Sequence, residues 1–170
     1  MLAVMGALDE EVGHLRADMT ISDETRHAGI QVTHGSFKNV DIALAKCGIG
    51  KVNATICTQM LIDLYKPDAM FPDPGVGPNL MLGTIASGDR FIQDQKTLRW
   101  LQREFAALAT EMEGAAFGYT CHLNGVPFVV VRGLSDTADH NASDDFSSNL
   151  HIVSRNMYPY LERLIPVLAR

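Results

Sequence analysis

The sequence has no run of lysine or arginine, no CxxC pair, no GxGxxG fingerprint and no HExxH pair among its six histidines. Each absence removes a class of function. With 14 basic against 20 acidic residues and a formal net charge of −6, there is no footprint for a polyanion, so no nucleic acid partner is expected. The longest apolar runs, such as "PFVVV", fall far short of the roughly 20 residues that span a bilayer. The N-terminus enters "MLAVMGALDEE" directly, without a basic leader or cleavage site. No membrane partner and a cytoplasmic location are expected. Cys47, Cys57 and Cys121 are odd in number and lie in apolar or helical contexts, which points to reduced, buried thiols. "GIGKV" is not a P-loop, because Ala45 replaces its first glycine and Val52 its Ser/Thr. Gly75 and Gly77 lack a third glycine, and Ser87 lacks the GxSxG elbow. No cofactor and no metal are expected.

What is present suits one globular domain: 170 residues, 46% hydrophobic and 20% charged. Leu2 to Gly6 reads as a buried strand, followed by Asp9, Glu10 and Glu11 in a first helical turn. Ile30 to His34 and Val40 to Lys46 read as two strands joined by "GSFKN". A glycine turn then opens a helix in which Ile56, Met60 and Leu64 recur every four residues, with Pro67 as its stop. Further strands are expected at Leu80 to Ala86, Ala107 to Thr110 and Val126 to Val131. Further helices are expected at Lys96 to Phe105, Gly114 to Leu123, and from about Phe146 to Leu168 with an interruption near Pro159. Strands alternating with helices imply α/β layers around a mainly parallel sheet. "FPDPGVGPNL", from Phe71 to Leu80, reads only as a loop.

Ligands of open α/β sheets collect at the carboxyl ends of the strands. Acidic residues recur at those ends: Glu10 or Glu11, Asp89, Glu111, Glu113, Asp136 and Asp139. Such carboxylates serve either as general acids and bases or as helix N-caps and dipole partners. For any single one of them the capping role is the stronger reading; the set together favours a site.

Taken together, "MGALDEEV", "CGIGKVNA", "IASGDRFI", "TEMEGAA" and "PFVVVRGLSDTAD" resemble the 5′-methylthioadenosine/S-adenosylhomocysteine nucleosidases of the purine nucleoside phosphorylase-like superfamily. The resemblance implies a three-layer α/β/α fold with a central mixed, twisted sheet, and hydrolysis of an N-glycosidic bond that releases adenine and a 5-thioribose. It implies Asp136 as general acid at the purine N7, with Ser135 orienting it, and Glu11 as the base that activates water. Glu113 would take the ribose 2′-hydroxyl, with Glu111 and Met112 on the ribose side. Phe91 and Ile92 would contact the base, and Ala7, Leu8, Ile49 and Phe146 would form apolar walls. The implied partners are adenine nucleosides and a second copy in a homodimer. Three alternatives stand beside this reading: a purine nucleoside phosphorylase, a futalosine-type hydrolase, and a catalytically silent nucleoside-binding scaffold.

The resemblance breaks at Phe71–Pro78. Family members continue there with a glycine-rich turn that contacts the ribose, and then with further strands. The expectation is a single nucleoside-binding hydrolase domain over residues 1–170 that is incomplete near 71–78, either because the polypeptide carries residues omitted there or through a natural deletion. An intact mass near 18.6 kDa would decide for the deletion.

Overall fold

The computed structural model describes residues 1–72, 81–138 and 142–169. The expected omission at 73–78, the start of the strand at Leu80, and Asp139 lie outside the described residues.

β1 (Leu2–Gly6) is buried along its whole length and lies between two parallel neighbours, β4 (Val40–Lys46) and β5 (Ala69–Pro72). Because side chains alternate across a strand, Leu2 and Val4 face one side while Ala3 and Met5 face the other. The first side packs on α1 (Asp9–Asp18) and α5 (Ala142–Leu168) through Val12, Leu15, Leu161 and Ile165. The second packs on α2 (Lys51–Tyr65) and α4 (Gly114–Leu123) through Cys57, Leu61, Phe117 and Cys121. Both faces of the sheet are covered, giving three α/β/α layers.

The sheet order is β2-β3-β4-β1-β5, with β3 (Ile30–Phe37) antiparallel to both of its neighbours, β2 (Thr20–His27) and β4. The sheet is therefore mixed, as the resemblance implies, rather than mainly parallel. β6 (Thr84–Ser87) and β7 (Ala107–Glu111) form a separate parallel pair, with α3 (Gln95–Phe105) between them in sequence.

Three local expectations need correction, and one strand leaves no signal in the sequence. β2 carries no buried residue, so its sequence shows no apolar alternation and only pairing with β3 defines it. In α2 the buried stripe is Ala54, Cys57, Thr58, Leu61 and Ile62, while Ile56 and Leu64 of the expected stripe are exposed. Among the described residues, Val126 to Val131 pairs at one bridge, Phe128 to Met70, where Met70 N–H donates to Pro127 at 3.1 Å and Val129 N–H to Met70 at 3.4 Å. The next rung of a parallel ladder needs an N–H from residue 72, and Pro72 has none. α5 starts at Ala142 and runs through Pro159, because Met157, Leu161 and Ile165 form a buried stripe that holds both sides of the proline on the sheet.

Candidate active site

The carboxyl ends of β1, β4, β6 and β7, the segment after Val131 and the first turns of α5 surround one cavity of ≈ 460 Å³. All twelve residues named from the sequence line it: Glu11, Ser135 and Asp136, together with Ala7, Leu8, Ile49, Phe91, Ile92, Glu111, Met112, Glu113 and Phe146. Arg90, Thr110, Arg132, Gly133 and Ser143 complete the lining.

Glu11 occupies the third position of α1 and folds back over the helix start. Its Oε2 accepts from the backbone N–H groups of Ala7 at 2.5 Å and Leu8 at 3.0 Å, which otherwise have no helical partner. Gly6 makes this possible, since a Cβ there would stand 2.8 Å from Val12 Cγ1 and 3.0 Å from Glu11 Cβ. Of the two candidates in α1, Glu11 faces the cavity and Glu10 does not line it.

Glu111 and Glu113 have different jobs. Glu111 Oε2 accepts from Glu113 N–H at 2.9 Å, Gly114 N–H at 2.7 Å and Arg132 Nη2 at 2.6 Å, while Oε1 takes the Ser87 hydroxyl. Burial pushes its pKa up, but the Arg132 charge, Ser87 and the two N–H groups outweigh this and hold it below the ordinary value. Glu113 Oε1 accepts from Gly50 N–H at 2.6 Å, at the head of α2, and its Oε2 lies 3.4 Å from Arg132 Nη2. Gly50 has φ 100°, a left-handed conformation that suits glycine. Burial raises the Glu113 pKa; Gly50 and Arg132 oppose that rise, and Glu111 and Glu11 add to it.

Arg132 thus ties β7 to the α4 start. Burial alone would lower its pKa, yet Glu111, Glu11 and Glu113 outweigh burial and raise it. A buried arginine needs carboxylate partners, and "VVVRG" carried that signal.

Asp136 accepts from Ser135 Oγ at 2.8 Å and from Ala138 N–H at 2.9 Å. Asn149 of α5 holds this turn by donating to the Ser135 carbonyl at 2.9 Å. Opposite, Phe91 and Phe146 meet edge to face, with centroids 5.8 Å apart. Asp89, also at a strand end, pairs instead with Lys51 at 3.0 Å outside the cavity. Among the described residues no cluster of side chains could hold a metal ion, and no helix is long and apolar enough to cross a membrane.

The family model of the phosphorylase superfamily matches residues 1–71 and 75–166. A nucleosidase of Bacillus velezensis, named for 5′-methylthioadenosine and S-adenosylhomocysteine, is 31% identical over 210 residues, covering 88% of this chain and 91% of that protein. The chain belongs to the 5′-methylthioadenosine/S-adenosylhomocysteine nucleosidase family of the phosphorylase superfamily. Nucleosidases are N-glycosidases, and this chain is an enzyme of that class. A family member of Buchnera aphidicola is 24% identical over 224 residues, covering 96% of this nucleosidase and 97% of its own length. Setting 224 aligned positions against 170 residues leaves at least 54 without a counterpart here. The Neisseria meningitidis nucleosidase in complex with methylthio-immucillin-A shares the fold at TM-score 0.87 and 23% identity, over 96% of this chain and 97% of that one. Helicobacter pylori futalosine hydrolase shares it at TM-score 0.88 and 23% identity, over 97% of both chains.

Proposed function

We propose that this nucleosidase hydrolyses the N-glycosidic bond of 5′-methylthioadenosine and S-adenosylhomocysteine, releasing adenine and a 5-thioribose. The observation that carries this reading is the convergence of Glu11, Glu113 and the Ser135–Asp136 pair on one cavity of ≈ 460 Å³, a volume ordinary for a small-molecule site. Apolar side chains, Leu8, Ile49, Phe91, Ile92 and Phe146, suit a flat base and an alkylthio group. Ala7 and Met112 complete the walls.

Departure of adenine leaves positive charge on the ribosyl ring and puts negative charge on the base. Carboxylates beside the sugar stabilise the first, and a proton delivered to N7 by Asp136 removes the second. Ser135 fixes the orientation of that carboxyl group. Glu11 has one oxygen held by two backbone N–H groups, which aims the other oxygen as an acceptor for the attacking water. Glu113 accepts from the ribose 2′-hydroxyl. Both oxygens of Glu111 are engaged within the protein, so we assign it to holding Arg132 and the α4 start rather than to gripping substrate.

Phosphate fits this site poorly as the nucleophile. Arg132 is committed to two carboxylates, and Glu11 would repel an anion. Futalosine-type substrates remain a second reading, because the futalosine hydrolase fold matches as closely as the nucleosidase fold. Adenine release from methylthioadenosine in phosphate-free buffer, with futalosine run in parallel, tests the proposal. Faster cleavage of futalosine would favour the second reading, and a requirement for phosphate would refute hydrolysis.

We further propose a cytoplasmic homodimer. Val52 and Ile56 on α2, with Tyr119 and Leu123 on the adjoining α4, expose apolar surface that a second copy would cover. A monomeric mass by light scattering would refute the dimer. The single hydrolase domain would lack a stretch near 71–78, consistent with the interrupted family match, and intact mass spectrometry tests that.

A further inference from the structure

A smaller pocket of ≈ 50 Å³ shares Glu11, Arg132, Ser135 and Phe146 with the main cavity and is lined on the α5 side by Val153 and Ser154. Two buried polar atoms among its lining residues have no protein partner among the described residues: Arg132 Nε and Ser154 Oγ. Ser154 is 5% exposed and sits in mid-helix. A buried helical serine commonly donates back to the carbonyl four residues earlier, here that of Leu150, and Ser154 does not. Buried groups of this kind are paired in folded proteins with protein or with ordered water. A water needs about 10–15 Å³ of such space and two to four polar neighbours, and the chamber offers both.

We propose that one ordered water occupies this chamber, accepting from Arg132 Nε and sharing a hydrogen bond with Ser154 Oγ, and that Ser154 is a positioning residue for Arg132. The Nη2 of Arg132 is already spent on Glu111 and Glu113. Two bonds from one nitrogen leave the guanidinium free to tilt about them. A third bond from Nε fixes its plane, and with it the Glu113 carboxylate and the wall against Glu11. This water would sit between Arg132 and the α5 residues Leu150, Val153 and Ser154, which do not line the main cavity.

The positional half stands on geometry alone; the kinetic half rests on the nucleosidase reading. Crystal structures of the full chain and of Ser154→Ala test the first. The expected result is a water within about 3.2 Å of both atoms in the wild type, lost or displaced in the variant. A chamber without water, or Nε bonded to a protein group, overturns the site. For the second, adenine release by Ser154→Ala should lose about three- to tenfold in kcat with KM changed less than about twofold, and Ser154→Thr should restore the rate. Wild-type kcat in Ser154→Ala with the water gone overturns the positioning role. If the wild type releases no adenine from any purine nucleoside, the nucleosidase reading fails, and the crystal structures still decide the water.

Discussion

Arg132 donates from Nη2 to Glu111 Oε2 at 2.6 Å, and only 11% and 10% of the two side chains are exposed. This pair joins the segment after Val131 to the end of β7, so it sets the distance between the Ser135–Asp136 turn and Glu113. Breaking a buried pair strands a charge, which commonly costs about 3–5 kcal/mol. Arg132→Met should therefore lower unfolding stability by about that amount in urea titration. A loss under about 1 kcal/mol would show that the pair does not hold the site together.

Glu113 gives a pH dependence of known sign. Burial raises its pKa, so the folded chain holds that proton more tightly than the unfolded chain. The resulting stability is fully present below the ordinary value of 4.5 and is lost as pH rises through the folded value. Glu113→Gln has no such proton to lose. Its melting temperature relative to wild type should rise between about pH 4 and about pH 8. A constant difference across that range would contradict the assignment.

Gly6 and Gly13 provide a matched pair of alanine substitutions around α1. A Cβ on Gly6 would press on Val12 and Glu11, whereas one on Gly13 meets nothing within 4 Å. Gly6→Ala should cost about 1–3 kcal/mol and a larger share of activity, because it displaces the Glu11 carboxylate. Gly13→Ala should stabilise by up to about 1 kcal/mol through helix propensity. Equal effects from the two would show that the close approach at Gly6 is relieved at little cost.

The three thiols are buried, and burial pushes the pKa values of Cys57 and Cys121 up to about 12 and that of Cys47 up as well. A neutral thiol out of water is a poor nucleophile. Native protein should not react with a disulfide reagent at about pH 8, and three thiols should appear on unfolding. Prompt labelling of the native chain would refute this.

The three-layer fold and the lining of the cavity were both legible in the sequence, and the individual elements less so. Chemistry at strand ends is written in short motifs, so "DEEV", "EMEG" and "LSD" each placed a side chain on the cavity wall. Arg132 was visible only as a lone cation after an apolar strand, and its role emerges from Glu111, 21 residues away in the chain. β2 is an edge strand with no buried residue, and such a strand leaves no apolar pattern in the sequence. In α2 the packing face is marked by small residues, Ala54, Cys57 and Thr58, while larger apolar ones lie outside, so size misleads about which stripe is buried. At Pro72 and Pro159 the opposite consequences have one cause. A missing N–H stops a ladder that depends on it, whereas a helix with a buried stripe on both sides tolerates the loss.

In the proposed function Asp136 and Glu11 together cleave a purine nucleoside with water. Single-turnover adenine release from methylthioadenosine, in phosphate-free buffer, compares the wild type with Asp136→Asn and Glu11→Gln. The expected result is release by the wild type and a loss of at least about 10²-fold in each variant, with substrate still bound. Near wild-type release by Asp136→Asn, or no release by the wild type, would contradict it.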